Sequence, residues 1–468
     1  MNLDTKVRVI SDTTTFYPVE KDGEESHHRN DNMSLRTTLV YLHEQMGEDF
    51  QFFTADDLFV VLQQWRGMLF FIQTNNARFQ EVMRLQLQTI REILIFLFGT
   101  KFESVMKRSI SMDKRKVFSQ YVDNYLALCQ EDYVYLLNAM RVDSDSKEMS
   151  DFFLKVVSSI APDFDINMLN VILFNKNKIV ARYDAPNAVK VDPETFLTLS
   201  VFERVEYSEL DNQISDDIQK NNKFDASFVE SPNNSSMKHK NAFLRIERTP
   251  VACLLSSSRL GESSPFVILV ATQNMKISEE MRQLIMKFIS AVTSQLMKFV
   301  VPQPEPQPIQ VMEELIHYIL IDRTHGNVWE LPLDLSTGFL MDYLHIDDED
   351  EAIEKMQKLT QQMAAYGMSA MMRGYTTMMW GEQDFQFCYE LRFEDEDHEI
   401  LKPTHVFSPP PFNDDNGINY RLITNSLFPN DEGITCLELL SVYQGKVQVK
   451  TVMQANETLF DIYRQTHT

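Results

Sequence analysis

At 468 residues the chain is too long for one ordinary core and, at roughly 150 residues per domain, fits about three. Its 44% hydrophobic and 11% aromatic content is enough to build packed cores and excludes a wholly disordered chain. The formal net charge of -24 opposes phosphate backbones, so nucleic acid is not an expected partner.

The first residues lack a charged and then apolar leader, Asn2 stands where myristoylation needs glycine, and no prenylatable cysteine precedes Thr468. A cytoplasmic chain is expected, with membrane contact borrowed from a partner. In that compartment Asn233, Asn234 and Asn456, all in N-x-S/T sequons, are expected to stay unmodified. Residues 7–10 and 16–19 predict a hairpin and 34–45 a helix. Three apolar runs, 50–53, 58–62 and 68–72, are separated by Ala55-Asp56-Asp57 and Trp65-Arg66-Gly67 and predict an antiparallel meander. Phe79, Met83, Leu87, Ile90, Leu94 and Leu97 then recur at three-to-four-residue spacing, giving a helix one apolar stripe to lay on the sheet, with a stop at Gly99. Lys107, Arg108 and Lys114, Arg115 and Lys116 form a local basic run, read either as a solvated connection or as a contact for an acidic partner or membrane surface.

The same order recurs. Residues 169–174 and 178–183 flank Asn175-Lys176-Asn177, a helix is expected over 193–202, and strands over 243–246, 251–255 and 266–271. A helix follows, with Met281, Leu284, Ile285, Phe288, Ile289, Val292, Leu296 and Phe299 on one face and Ser278 as its N-cap. The polar stretch 211–241 reads as a mobile insertion in this second unit. Alternating prolines from Pro302 to Pro308 predict an extended spacer. Beyond it come strands at 316–322 and 328–331 around Thr324-His325-Gly326, a helix over 349–372, strands at 375–380 and 385–393, and a last helical tract over 437–463 broken near Gly445. The expected fold class is therefore α/β (α+β), with three modules, each a five-stranded antiparallel-rich sheet flanked by helices. They occupy 1–150, 151–301 and 311–468, with 302–310 as linker.

Chemistry is expected to be absent rather than hidden. There is no G-x-x-x-x-G-K-[ST], G-x-G-x-x-G, C-x-x-C, H-E-x-x-H, calcium-loop or G-x-S-x-G pattern, and only 13 glycines. No cofactor, no metal and no bond-making centre is expected. Cys129, Cys253, Cys388 and Cys436 lie in apolar runs and read as buried reduced thiols. The acidic runs at 347–351 and 394–397 read as a favourably charged helix start and a solvated loop. Met363, Met368, Met371, Met372, Met378 and Met379 read as core filling or as an adaptable binding surface. Trp65 and Arg66 share a tight turn and are of types enriched at interface hot spots; Trp65 serves equally well as a cover over the sheet edge.

The third module carries an I-D-R-T-x-G run at 321–326, G-Y-T-T at 374–377 and an aromatic strand at 385–394 ending in F-E. These resemble the C-terminal part of the first Hermansky–Pudlak syndrome protein and hence the tri-longin family that also contains the Mon-type trafficking proteins and Fuzzy. The first module resembles the same family more loosely, through residues 59–73 and the helix after them, and 436–440 resembles its Y-E-L-L helix. The chain lacks the long Ser/Pro-rich insertions of vertebrate members. The resemblance implies longin-like domains and a second tri-longin partner of the Ccz type or Hermansky–Pudlak-four type. It also implies joint action as a guanine-nucleotide exchange factor on a Rab GTPase at late endosomes, lysosomes or lysosome-related organelles. It puts the working surface on the first module, where Leu35, Leu39 and Leu42 of the expected helix, with Trp65 and Arg66, are the candidate interface residues. The alternative is a scaffold or tether that holds a trafficking complex without acting on nucleotide.

Overall fold

The computed structural model describes residues 6–10, 15–19, 37–38, 41, 52–55, 58–74, 80–100, 102, 112–143, 147–186, 188–220, 237–261, 264–273, 278–298, 311–329, 346, 348–382, 384–403, 420–429, 431 and 433–467. The proline spacer and candidates Leu35, Leu39 and Leu42 lie outside the described residues; of the helix expected around those leucines, Thr37, Thr38 and Tyr41 are described and are helical.

The first module holds β1 (Lys6–Ile10), β2 (Thr15–Tyr17), β3 (Phe52–Ala55), β4 (Leu58–Trp65) and β5 (Met68–Thr74) in the antiparallel order β2-β1-β5-β4-β3. Arg66 and Gly67 both have positive φ (46° and 75°), so the β4–β5 hairpin closes through a two-residue turn whose twist suits the strands. Helix α1 (Gln80–Phe98) follows and ends where Gly99 takes φ 70° and its amide bonds the Ile95 carbonyl. Next come α2 (Met112–Glu131), a 3-10 turn at Tyr133–Leu137 and a two-residue strand, β6 (Met140–Arg141).

Helix α3 (Lys147–Ile160) opens the second module. Its strands β7 (Met168–Asn175), β8 (Lys178–Asp184), β9 (Lys238–Ile246), β10 (Thr249–Arg259) and β11 (Phe266–Thr272) take the order β8-β7-β11-β10-β9. Helix α4 (Glu194–Lys220) connects β8 to β9, and α5 (Glu279–Leu296) starts from Ser278, whose hydroxyl caps the Met281 amide as expected. The insertion anticipated over 211–241 is smaller than expected: α4 continues to Lys220 and β9 begins at Lys238, so polar composition there is compatible with ordered helix and strand.

The third module contains β12 (Leu315–Asp322), β13 (Asn327–Trp329), α6 (Glu349–Met372), β14 (Thr377–Glu382), β15 (Phe385–Glu394), β16 (Ile400–Leu401), α7 (Tyr420–Leu427), β17 (Thr435–Gln444) and α8 (Val449–His467). The order is β14-β15-β17-β12-β13-β6, with β16 on β15. The helical tract expected over 437–463 is half wrong: its first part is β17, the central strand, and only α8 is helix. The reason is burial on both faces. Cys436, Leu440 and Val442 face the common core while Leu437, Leu439 and Tyr443 face the α8 side, so the apolar run carries no period that separates strand from helix.

The first two sheets have the strand order 2-1-5-4-3 counted within the module; the third, expected to have five strands, has seven, and shows the same order once the two-residue β16 and the added β6 are set aside, with a helix after the last strand of each. They share one core. Helices α1, α4 and α6 converge, and a single cluster of buried side chains runs through all three modules. Helix α1 was expected to bury one stripe, yet Gln86, Gln88, Thr89 and Arg91 are buried along with Ile90, Ile93 and Leu94. The sheet takes one side of α1, and β9, α4 and α6 take the others. Each Ile or Leu so enclosed contributes about 1.5–3 kcal/mol relative to exposure. The outer faces differ: α3 and α5 cover the second sheet with apolar side chains, and α8 covers the third.

Candidate functional site: the joint between the modules

The I-D-R-T-x-G run forms the β12–β13 turn, where the three modules meet. Asp322 Oδ1 accepts from the amides of Thr324 (2.9 Å) and His325 (3.2 Å), which folds the turn around its own carboxylate. Asp322 Oδ2 accepts from the Tyr463 hydroxyl at 2.9 Å and faces His325 Nδ1 at 2.6 Å, pinning α8 to the turn. Burial alone would raise the Asp322 carboxyl, but the hydrogen bonds from His325, Tyr463 and the turn amide hold it below the ordinary carboxylate range. The bond to Asp322 in turn raises the His325 imidazole against the opposing effects of burial, Arg182 and Lys190.

Arg323 points inward and is almost wholly buried. Its Nε meets Glu438 Oε2 at 2.5 Å, its Nη1 donates to the Leu137 carbonyl of the first module at 2.8 Å, and its guanidinium lies 4.5 Å from the Tyr420 ring. The Tyr420 hydroxyl donates to the same Glu438 oxygen at 3.2 Å. Thr324 Oγ1 accepts from the Cys436 amide at 2.8 Å, tying the turn to β17. Gly326 has φ 75°, and a Cβ there would stand 3.0 Å from Pro193 Cβ of the second module. The motif therefore requires each residue type for a separate mechanical reason.

Residues 140–143 complete the joint. Met140 donates its amide to the Gly326 carbonyl at 3.0 Å, and β6 pairs in parallel with β13. Val142 then bridges to Ile179 of β8, and the Asp143 amide donates to the Ile179 carbonyl at 2.8 Å. One short segment after the first module thus pairs with the second strand of the third sheet and touches the start of the second strand of the second sheet. The G-Y-T-T run is structural too: Gly374, at φ 77°, ends α6, and Thr376 begins the pairing of β14 with β15.

The first and second modules are locked by two forked ion pairs, Arg245 with Glu92 (2.5 and 2.8 Å) and Arg204 with Glu131 (2.5 and 2.6 Å). Phe243 also packs directly over Gly99. Glu194, the first residue of α4, borders the cleft with Leu137, Asn138, Arg323 and Gly326 on one side and that with Glu92 and Arg245 on the other. Burial pushes its carboxyl up to about 7, with Asp192 and Glu92 adding to the effect.

Trp65 is buried, only 5% exposed, and stacks on Phe102 at 5.0 Å with the guanidiniums of Arg66 and Arg91 against its ring. Arg66 is exposed and donates to the Thr100 carbonyl at 2.8 Å. The two neighbours thus touch but differ in exposure, Trp65 inside and Arg66 at the surface. Glu92, Glu194, Arg245 and the 140–143 segment were not singled out from sequence; the usable signal was charge within otherwise apolar runs, as in Phe243-Leu244-Arg245-Ile246.

The four cysteines are buried and free, with thiols raised by burial. Asn456, the sequon in α8, is fully buried and bonds Ser441, Tyr443 and Glu390. Among the described residues no three His, Cys, Asp or Glu side chains converge as metal ligands would, and no helix is long and apolar enough to cross a membrane. Compared with known proteins, the chain matches no family model and no curated protein.

Proposed function

We propose that this chain is one subunit of a two-protein guanine-nucleotide exchange factor of the tri-longin kind, acting with a Ccz-type or Hermansky–Pudlak-four-type partner on a Rab GTPase of late endosomes or lysosome-related organelles. The observation that supports the reading is one sheet order, 2-1-5-4-3, repeated in three modules once β16 and the added β6 of the third are set aside; the resemblance implies three longin-like domains. The I-D-R-T-x-G segment supports it, because its Arg323 and Gly326 meet the first and second modules. Exchange needs no covalent chemistry: a surface must bind the nucleotide-free GTPase better than the nucleotide-bound one.

The test is release of labelled GDP from candidate Rab proteins, with the chain alone, the partner alone and the purified pair. Accelerated release by the pair alone is expected. A stable pair that accelerates no Rab of these organelles would remove exchange and leave a scaffold or tether. One observation favours that second reading: Trp65 is committed to the interior, so the β4–β5 turn offers Arg66 but no large aromatic anchor.

A further inference from the structure

We propose that the outer edge of β14 is a docking site for an extended, basic segment of another protein, which adds to the third sheet as a further strand. This goes beyond the exchange reading and stands or falls separately from it.

The joint leaves sheet edges in unequal states. That of β13 is paired with β6, and that of β8 is met near its start by Val142 and Asp143 at Ile179. At the opposite edges, β3 has only four residues, and β9 carries Lys238, His239 and Lys240 and lies against α1. In contrast, β14 keeps unbroken register with β15 over six residues, from Thr377↔Glu390 to Glu382↔Phe385. The Thr376 carbonyl accepts from the Leu391 amide at 2.6 Å, which fixes the alternation. Met378 and Trp380 turn their backbone groups toward β15; Thr377, Met379 and Gly381 turn theirs away.

Thr377 and Gly381 are exposed, so the outward groups are reachable. Half-buried Met378 and Trp380 flank the edge on the common-core face, Met379 flanks it on the α8 face, and Tyr375 just before the strand is 49% exposed. An incoming strand therefore finds main-chain partners and apolar surface on both faces. Folded sheets ordinarily blunt such an edge with lysine, proline, a bulge or a cover. Along β14 the one charged side chain is Glu382 at its end, and no lysine, proline, bulge or cover is present among the described residues.

Charge selects the occupant. Residues 311–468 contain 27 acidic and 10 basic side chains, so this module carries most of the chain's net -24. A second copy would bring the same field to the same edge, whereas a basic segment brings its complement.

The test uses the full chain and a blocked peptide of alternating valine and lysine, with a valine–glutamate peptide as control. Fluorescence anisotropy reports binding and hydrogen exchange reports its location. The lysine peptide is expected to bind, more tightly at low salt, and to slow exchange of the Thr377, Met379 and Gly381 amides. Met379→Pro removes an outward amide and no ladder bond, so it should keep the wild-type melting profile and weaken binding at least about tenfold. If that variant misfolds, the exchange pattern of the wild-type chain decides alone. Four results would overturn the proposal: no binding of the lysine peptide, equal binding of both peptides, binding without protection of β14, or unweakened binding by folded Met379→Pro. Self-association of the wild-type chain with protected β14 would assign the edge to a second copy instead.

Discussion

Replacing Arg323 by methionine removes the guanidinium at the joint while keeping a long apolar stem. Glu438 is then left wholly buried without its cation, and the Leu137 carbonyl loses its donor. Breaking one side of a buried pair costs about 3–5 kcal/mol, because the remaining charge keeps its desolvation penalty. Against a typical total of about 5–15 kcal/mol, that is a large share of stability. Urea unfolding of Arg323→Met should show a midpoint lowered by this amount divided by the unchanged slope. The double variant Arg323→Met with Glu438→Leu removes both charges and should recover most of the loss, since an apolar replacement of a buried pair is often neutral. A single variant within about 1 kcal/mol of wild type, or a double variant no better than the single, would refute the reasoning.

Glu194 gives a pH dependence. Burial raises its folded-state carboxyl to about 7, so between the ordinary carboxyl range and that value the folded chain holds a proton the unfolded chain has released. The stability is fully present below the ordinary range and is lost as pH rises through about 7, by about 3 kcal/mol. Glu194→Gln should flatten the stability profile between about pH 5 and 7 and exceed wild type above it; parallel profiles would contradict this. Gly326→Ala forces a Cβ into the left-handed region and against Pro193, and should cost about 1–3 kcal/mol in urea titration. Trp65→Ala should cost about 3–5 kcal/mol of folding stability, while Arg66→Ala, which loses the bond to the Thr100 carbonyl and the contact with the Trp65 ring, should cost about 1 kcal/mol and leave the chain folded, so a binding defect confined to Arg66→Ala would be a surface effect.

Strands and helices with one dry face were legible in the sequence. The Phe288, Ile289 and Val292 face announced α5, the Ser278 cap was readable from local chemistry alone, and residues 68–72, though buried on both faces, were marked as β5 by the Trp65-Arg66-Gly67 turn before them. What escaped was set by neighbours from elsewhere in the chain. The full enclosure of α1 follows from two other modules, β17 hides its strand period because both its faces are covered, and 140–142 is extended only because β13 and β8 lie beside it. At the joint, Asp322, Arg323, Thr324 and Gly326 were visible as a family-like run, but their separate roles depend on Leu137, Cys436 and Pro193, far away in sequence. Trp65 had two equal readings from sequence because a turn residue's exposure depends on what packs over it, here Phe102.

Native-state hydrogen exchange tests most directly whether the three modules are one body. Amides of β4, β10 and β17 sit in three different sheets around the common cluster. They should share one opening free energy in wild type, and Arg323→Met should lower all three by the same amount. Three distinct opening free energies, or a drop confined to β17, would contradict a shared core.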